Sequence, residues 1–159
     1  MRRYGIFVVV CFVVTVIASS AYSALRMNSR NFAILCTNGS LQEIRQALDS
    51  GAKPTEQVLI SAAYSNPDPE VMKLLITYAQ RYGLNLTKMP EISAGILNSA
   101  IRGGRPEVVR AVISFGMNVN AKDKNKISPL NEALRYGVKS DEPERHEIIR
   151  ILREAGAKR

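Results

Sequence analysis

The stretch Leu97–Gly104 reads LNSAIRGG, and LNEALRYG follows at Leu130–Gly137, 33 positions later. A chain that restates eight residues at such a period must build one small unit more than once. Two short helices cannot bury their own apolar face, so each unit has to stack on its neighbour. This repetition constrains the fold more than any other feature of the sequence.

The unit Gly95–Asp123, GILNSAIRGGRPEVVRAVISFGMNVNAKD, shows how the elements are specified. Leu97, Ala100 and Ile101 recur at i, i+3 and i+4, one buried face of a short helix. Gly103 and Gly104 end that helix where a left-handed residue is needed. Pro106 suits the first turn of the next helix, which has no use for its missing N–H, and Glu107 faces the positive end of the helix dipole. Val108, Val109, Val112 and Ile113 form the second apolar face, and Gly116 stops it.

The other units are variations on this one. The last starts SPLNEALRYG at Ser128 and passes through an extra polar stretch from Val138 to Arg145. In its HEIIRILREAGAKR segment, Glu147, Ile148, Ile149, Leu152 and Gly156 fall where Glu107, Val108, Val109, Val112 and Gly116 fell. The first, FAILCTNGSLQEIRQALDSGA, places Gly39 and Gly51 at its two helix ends. In the second, VLISAAYSNPDPEVMKLLITYAQRYG, Asn66 takes the place of the first glycine and is expected to share its left-handed geometry, while the second helix runs a turn longer to Gly83. The expected fold class is all-α, with four helix pairs after the N-terminal segment. Leu97, Ala100, Val109, Leu130, Ala133 and Ile149 are its expected core, and truncating a buried leucine there should cost ~2–5 kcal/mol.

The segments GRPEVVRAVISFGMNVNAKD (Gly104–Asp123) and SPLNEA (Ser128–Ala133) resemble the ankyrin repeat, a 33-residue unit with a T-P-L-H-x-A signature. Asn98 and Asn131 stand in the place of the signature histidine, Lys126 where the hairpin turn has glycine, and KPTEQ is shorter than a full hairpin. The resemblance implies an ankyrin-type solenoid of stacked antiparallel helix pairs with short hairpin connections over residues 28–159. It further implies a non-enzymatic protein–protein interaction module that binds another protein through its concave face.

In such an array binding sits on outward positions of the first helices and on the hairpin tips. Those positions are Ser61 and Tyr64 in the second unit, Ser99 and Arg102 in the third, and Glu132, Arg135 and Tyr136 in the fourth. Lys122, Asp123, Lys124 and Asn125 form the tip. A mixture of arginine and aromatic residues suits an interface. The candidate partner-binding residues are therefore Tyr64, Ser99, Arg102, Lys122, Lys124, Glu132, Arg135 and Tyr136, each weighed against the simpler role of a solvated surface residue.

Residues 1–25 have the layout of a signal peptide or an uncleaved membrane anchor: Arg2 and Arg3, a charge-free run from Ile6 to Ala18, then small residues. The run is shorter than the ~20 residues a spanning helix needs, but counting on through Leu25 reaches that length. The repeat domain is thus expected outside the cytoplasm. It would be periplasmic or secreted after cleavage, and otherwise part of a single-pass membrane protein with membrane contact through residues 6–25.

The formal charge is +8. Without Arg2 and Arg3 it remains +6, so a membrane-tethered basic domain binding anionic lipid or nucleic acid is the alternative reading. Export and the interleaving of acidic with basic residues disfavour nucleic acid. Cys36 is the lone cysteine beyond the leader, which leaves no intrachain disulfide there. His146, the single histidine, is expected on a surface helix, and the carboxylates Asp141 and Glu142 in a charged loop. There is no phosphate loop, no G-x-S-x-G and no Cys/His ligand cluster, so no cofactor, metal or small-molecule substrate is expected. Asn38 and Asn85 head N-x-S/T sequons that matter only in a host that glycosylates exported proteins.

Overall fold

The structure, a computed structural model, describes residues 28–137 and 142–158. The expected leader lies outside them. The described residues are all-helical, with α1 (Ser29–Asn38), α2 (Leu41–Asp49), α3 (Glu56–Ser65) and α4 (Pro69–Arg81) in the N-terminal half. A short 3-10 turn (Leu86–Lys88) leads to α5 (Pro90–Gly103), α6 (Pro106–Ile113), α7 (Pro129–Gly137) and α8 (Pro143–Glu154). No helix among the described residues is long and apolar enough to cross a membrane.

Local chemistry sets the boundaries. The Asn28 side chain accepts from Asn31 N at 2.8 Å and starts α1. Ser40 and Glu43 cap α2 reciprocally, so two otherwise orphaned N–H groups are satisfied. Proline occupies the first turn of α4, α5, α6 and α8. Gly104 ends α5 with φ +72°, a conformation that side chains disfavour, and a Cβ there would also approach the Arg145 guanidinium at 3.1 Å.

Two expected helix ends differ from this pattern. Gly39 (φ −76°) and Asn66 (φ −79°) are extended rather than left-handed. Asn66 holds its place for another reason: its buried side chain donates to Cys36 O at 3.1 Å and Gly39 O at 3.2 Å. The polar stretch expected up to Arg145 is also shorter than anticipated, because α8 begins at Pro143, where proline pre-sets the first helical φ. Its start, residues 138–141, lies outside the described residues.

The helices form two layers. α1, α3, α5 and α7 pack in succession, and α2, α4, α6 and α8 do the same behind them. Asn66 ties the end of α3 to the end of α1, and Arg105 Nη1 donates to Tyr64 O at 2.9 Å, bringing the end of α5 beside the end of α3. The first helices therefore run parallel, and the short connections reverse the second ones against them. Gly103 makes the close approach possible, since a Cβ there would lie 2.6 Å from Tyr64 O.

One continuous core results, including all six expected core residues, Leu97, Ala100, Val109, Leu130, Ala133 and Ile149. Cys36 is fully buried within it, and desolvation pushes its thiol up to about 12, which removes thiolate reactivity at neutral pH. His146 is exposed on α8. Polar links tie the second layer together, with Arg110 and Arg150 both donating to Glu147.

Candidate protein-binding surface

The outward candidates divide between the two ends of the first-helix layer. Tyr64, Arg102, Arg135 and Tyr136 occupy the C-terminal turns of α3, α5 and α7. Lys122 and Lys124 lie in the connection that precedes α7, beside the helix N-termini. A nine-residue helix separates the groups by about 13 Å at 1.5 Å per residue.

At the C-terminal end, Tyr64 is 55% and Tyr136 40% exposed, although both are large aromatics. Arg135 is exposed beside Tyr136. The Arg145 guanidinium sits 5.7 Å from the Tyr136 ring centroid and donates to Ile101 O at 2.9 Å, so it fixes the ring while satisfying a carbonyl at the end of α5. These residues form an aromatic and cationic rim on regular helices.

Ser99 and Glu132, expected to face outward, are instead buried, each 2% exposed. The cause is packing between α5 and α7 that turns these positions into the seam. Ser99 Oγ donates to Gly95 O at 2.9 Å within its own helix. Glu132 Oε1 lies 3.4 Å from Arg102 Nε, and Arg102 Nη2 donates to Ser99 Oγ at 3.3 Å. Arg102 is thus committed to covering a buried carboxylate and is less available to a partner than Arg135.

Asp123, expected at an exposed tip, is also buried. Its carboxylate accepts from Asn98 Nδ2 and Ile127 N, each at 3.0 Å, and from Asn125 N at 2.9 Å. Burial pushes this carboxyl up, but those hydrogen bonds and the Arg102 charge together hold it below its ordinary value. The chain turns here through Lys126, whose φ of +63° is the left-handed geometry for which a glycine is usual. Lys124 Nζ then reaches Glu56 at 2.6 Å and Lys126 Nζ reaches Glu91 at 2.9 Å, so the connection lies across the starts of α3 and α5. Lys122 is exposed with no ion-pair partner among the described residues.

The helical pattern gave little warning of the α5–α7 seam. Asn98 Oδ1, Ser128 Oγ and Glu132 Oε2 are buried there without a hydrogen-bond partner among the described residues. Polar residues between apolar ones, as in Leu97-Asn98-Ser99-Ala100, were the available signal, but a single helix wheel cannot say which neighbour covers them. Two open clefts were likewise invisible to sequence. One of about 230 Å³ lies between α2 and α4, lined by Leu41 and Leu74 together with Arg45, Lys73 and Arg81. Another of about 460 Å³ lies between α7 and α8 at Leu134, His146 and Ile149. No group of three or more His, Cys, Asp or Glu among the described residues is placed to hold a metal ion.

No protein-family model, curated protein or solved structure matches the chain.

Proposed function

We propose that this is an exported, non-enzymatic ankyrin-type repeat domain that binds another protein through the exposed rim of its first helices. The observation that carries the reading is the placement of Tyr64, Arg135 and Tyr136 at one end of the first-helix layer, where both tyrosine rings and the Arg135 cation stay exposed. Tyrosine and arginine are enriched among the residues that dominate binding energy, and both tyrosines here are presented from ordered helices, which limits the entropy lost on association.

Three features support the ankyrin-type assignment. The unit repeats at 33 residues, Ser128-Pro129 opens α7 at the SPLNEA segment, and Lys126 takes a left-handed turn where that family's hairpin has glycine. Arg102 and Glu132 act in this reading as a built-in pair that shapes the surface from below.

Site-specific photo-crosslinking in the producing cell tests the proposal. A crosslinker at Tyr64 or Tyr136 is expected to trap one protein partner, whereas one at Gln42, exposed on α2, is expected to trap none. Equal yields from all three positions would move the interface away from the rim.

A further inference from the structure

The two ends of the helical stack differ in how their charges are used. One end gathers the N-termini of the first helices and the C-termini of the second. It carries Arg30 in the first turn of α1, Lys53 in the α2–α3 link, Arg81 closing α4, Lys88 before α5, and Lys122 before α7. Arg30, Lys88 and Lys122 have no ion pair or side-chain hydrogen bond among the described residues, while Lys53 and Arg81 rest on the rings of Tyr82 and Tyr78 at 5.4 and 5.0 Å.

The acids at this end are already engaged. Asp49 accepts from the Tyr78 hydroxyl, Glu56 and Glu91 pair with Lys124 and Lys126, and Asp123 is buried in its turn. At the opposite end, Glu43, Glu70, Glu107 and Glu144 open the second helices. Lys73 and Arg145 pair there with Glu70 and Glu142. Among the described residues, cationic groups without a carboxylate therefore collect mainly at the first end, although Arg105, bound to Tyr64 O, and Arg135 stand at the other.

The chain also enters the fold at the cationic end, through Asn28. The apolar stretch of the sequence, extended as far as Leu25, is three residues away, a covalent reach of about 10 Å. That reach is close to the screening length of ~8–10 Å at ordinary ionic strength, so a bilayer holding the apolar stretch lies within the field of these cations. We propose that in the uncleaved chain the end bearing Arg30, Lys53, Arg81, Lys88 and Lys122 docks on an anionic lipid surface, with lipid phosphates as the counter-charges. Docking in this orientation turns Tyr64, Arg135 and Tyr136 away from the membrane. The proposal is independent of protein binding at Tyr64, Arg135 and Tyr136, which lie at the other end, and it gives Lys122 a lipid in place of a protein partner.

Lysine acetylation footprinting of the full chain tests it, in vesicles of phosphatidylcholine alone and in vesicles containing phosphatidylglycerol. Lys53, Lys88 and Lys122 are expected to be modified at least about fivefold more slowly in the anionic vesicles, because several cations that each strengthen attachment to such a surface about fivefold keep this end docked. Lys73, toward the other end, is expected to keep its rate. Raised sodium chloride should abolish the difference. The Arg81→Glu/Lys88→Glu variant should lose protection at Lys122 with an unchanged circular dichroism spectrum, and if that variant does not fold, Lys88→Gln alone should show a partial loss. Equal rates in both vesicle types, or equal protection of Lys73, would overturn the proposal. It would also be overturned if inorganic phosphate relieved protection far more than chloride at matched ionic strength, which would assign a discrete anion site. A mature cellular chain that begins after Ser23 would overturn it as well, by removing the tether.

Discussion

The side chain of Asn66, at the end of α3, donates to the carbonyl oxygen of Cys36, near the end of α1, across 3.1 Å. This one amide joins two neighbouring helix pairs at their ends. A second bond to Gly39 O and one accepted from Asp68 N leave it no freedom to turn outward.

Replacing Asn66 tests this linkage. Asn66→Gly would be close to neutral if the residue served as a left-handed helix stop. With the observed bonds it should cost about 2 kcal/mol or more, because buried carbonyls lose their donor. Urea unfolding of the two proteins measures the difference.

Lys126→Gly should stabilise the fold. A left-handed lysine costs about 1–2 kcal/mol relative to glycine, whereas the exposed pair with Glu91 contributes only a few tenths. A net gain of roughly 0.5–1.5 kcal/mol is expected. An unchanged or lower unfolding midpoint would mean that the turn is not left-handed.

The Asp123 carboxyl titrates below its ordinary value of 3.8. A group whose folded pKa is depressed contributes stability that is present above the unfolded pKa and lost as pH falls through the folded one. The protein should therefore lose stability as pH drops below about 4, and Asp123→Asn should lose less over the same interval while being weaker at pH 7. Glu43 and Glu147 are also held low, by Ser40 and by Arg150 first of all, but their contributions cancel when the two proteins are compared at each pH. Parallel curves for the variant and the parent protein would exclude Asp123 as a source of the acid sensitivity.

Arg102→Ala should destabilise the protein by roughly 1–3 kcal/mol, since it leaves the buried Glu132 carboxylate without its cation. Adding Glu132→Gln should recover part of the loss by removing the uncompensated charge. Thermal unfolding of the single and double variants provides the check, and a double variant weaker than Arg102→Ala would contradict the pairing.

Much of the helical organisation is legible in the sequence, because its signals are local. Pro106 and Gly116 mark the ends of α6 by backbone geometry alone, and the spacing of Leu97, Ala100 and Ile101 identifies a buried face. What could not be read depends on the neighbour. Ser99 and Glu132 look outward on isolated helices and become buried only when α5 meets α7. Asn66 and Asp123 read as a helix stop and a tip because sequence reveals their turn propensity but not their distant acceptors and donors. Tyr64, Arg135 and Tyr136 remain on the surface in both descriptions, and they form the rim.

The most direct measurement of the central claim is affinity capture of partners by the full chain, comparing the native protein with Tyr64→Ala/Arg135→Glu/Tyr136→Ala. The native chain is expected to retain a defined protein partner, and the variant to bind it about 30-fold more weakly or worse while melting at the same temperature. Capture of the same partner with equal affinity by both would contradict the assignment of binding to the rim of the first helices.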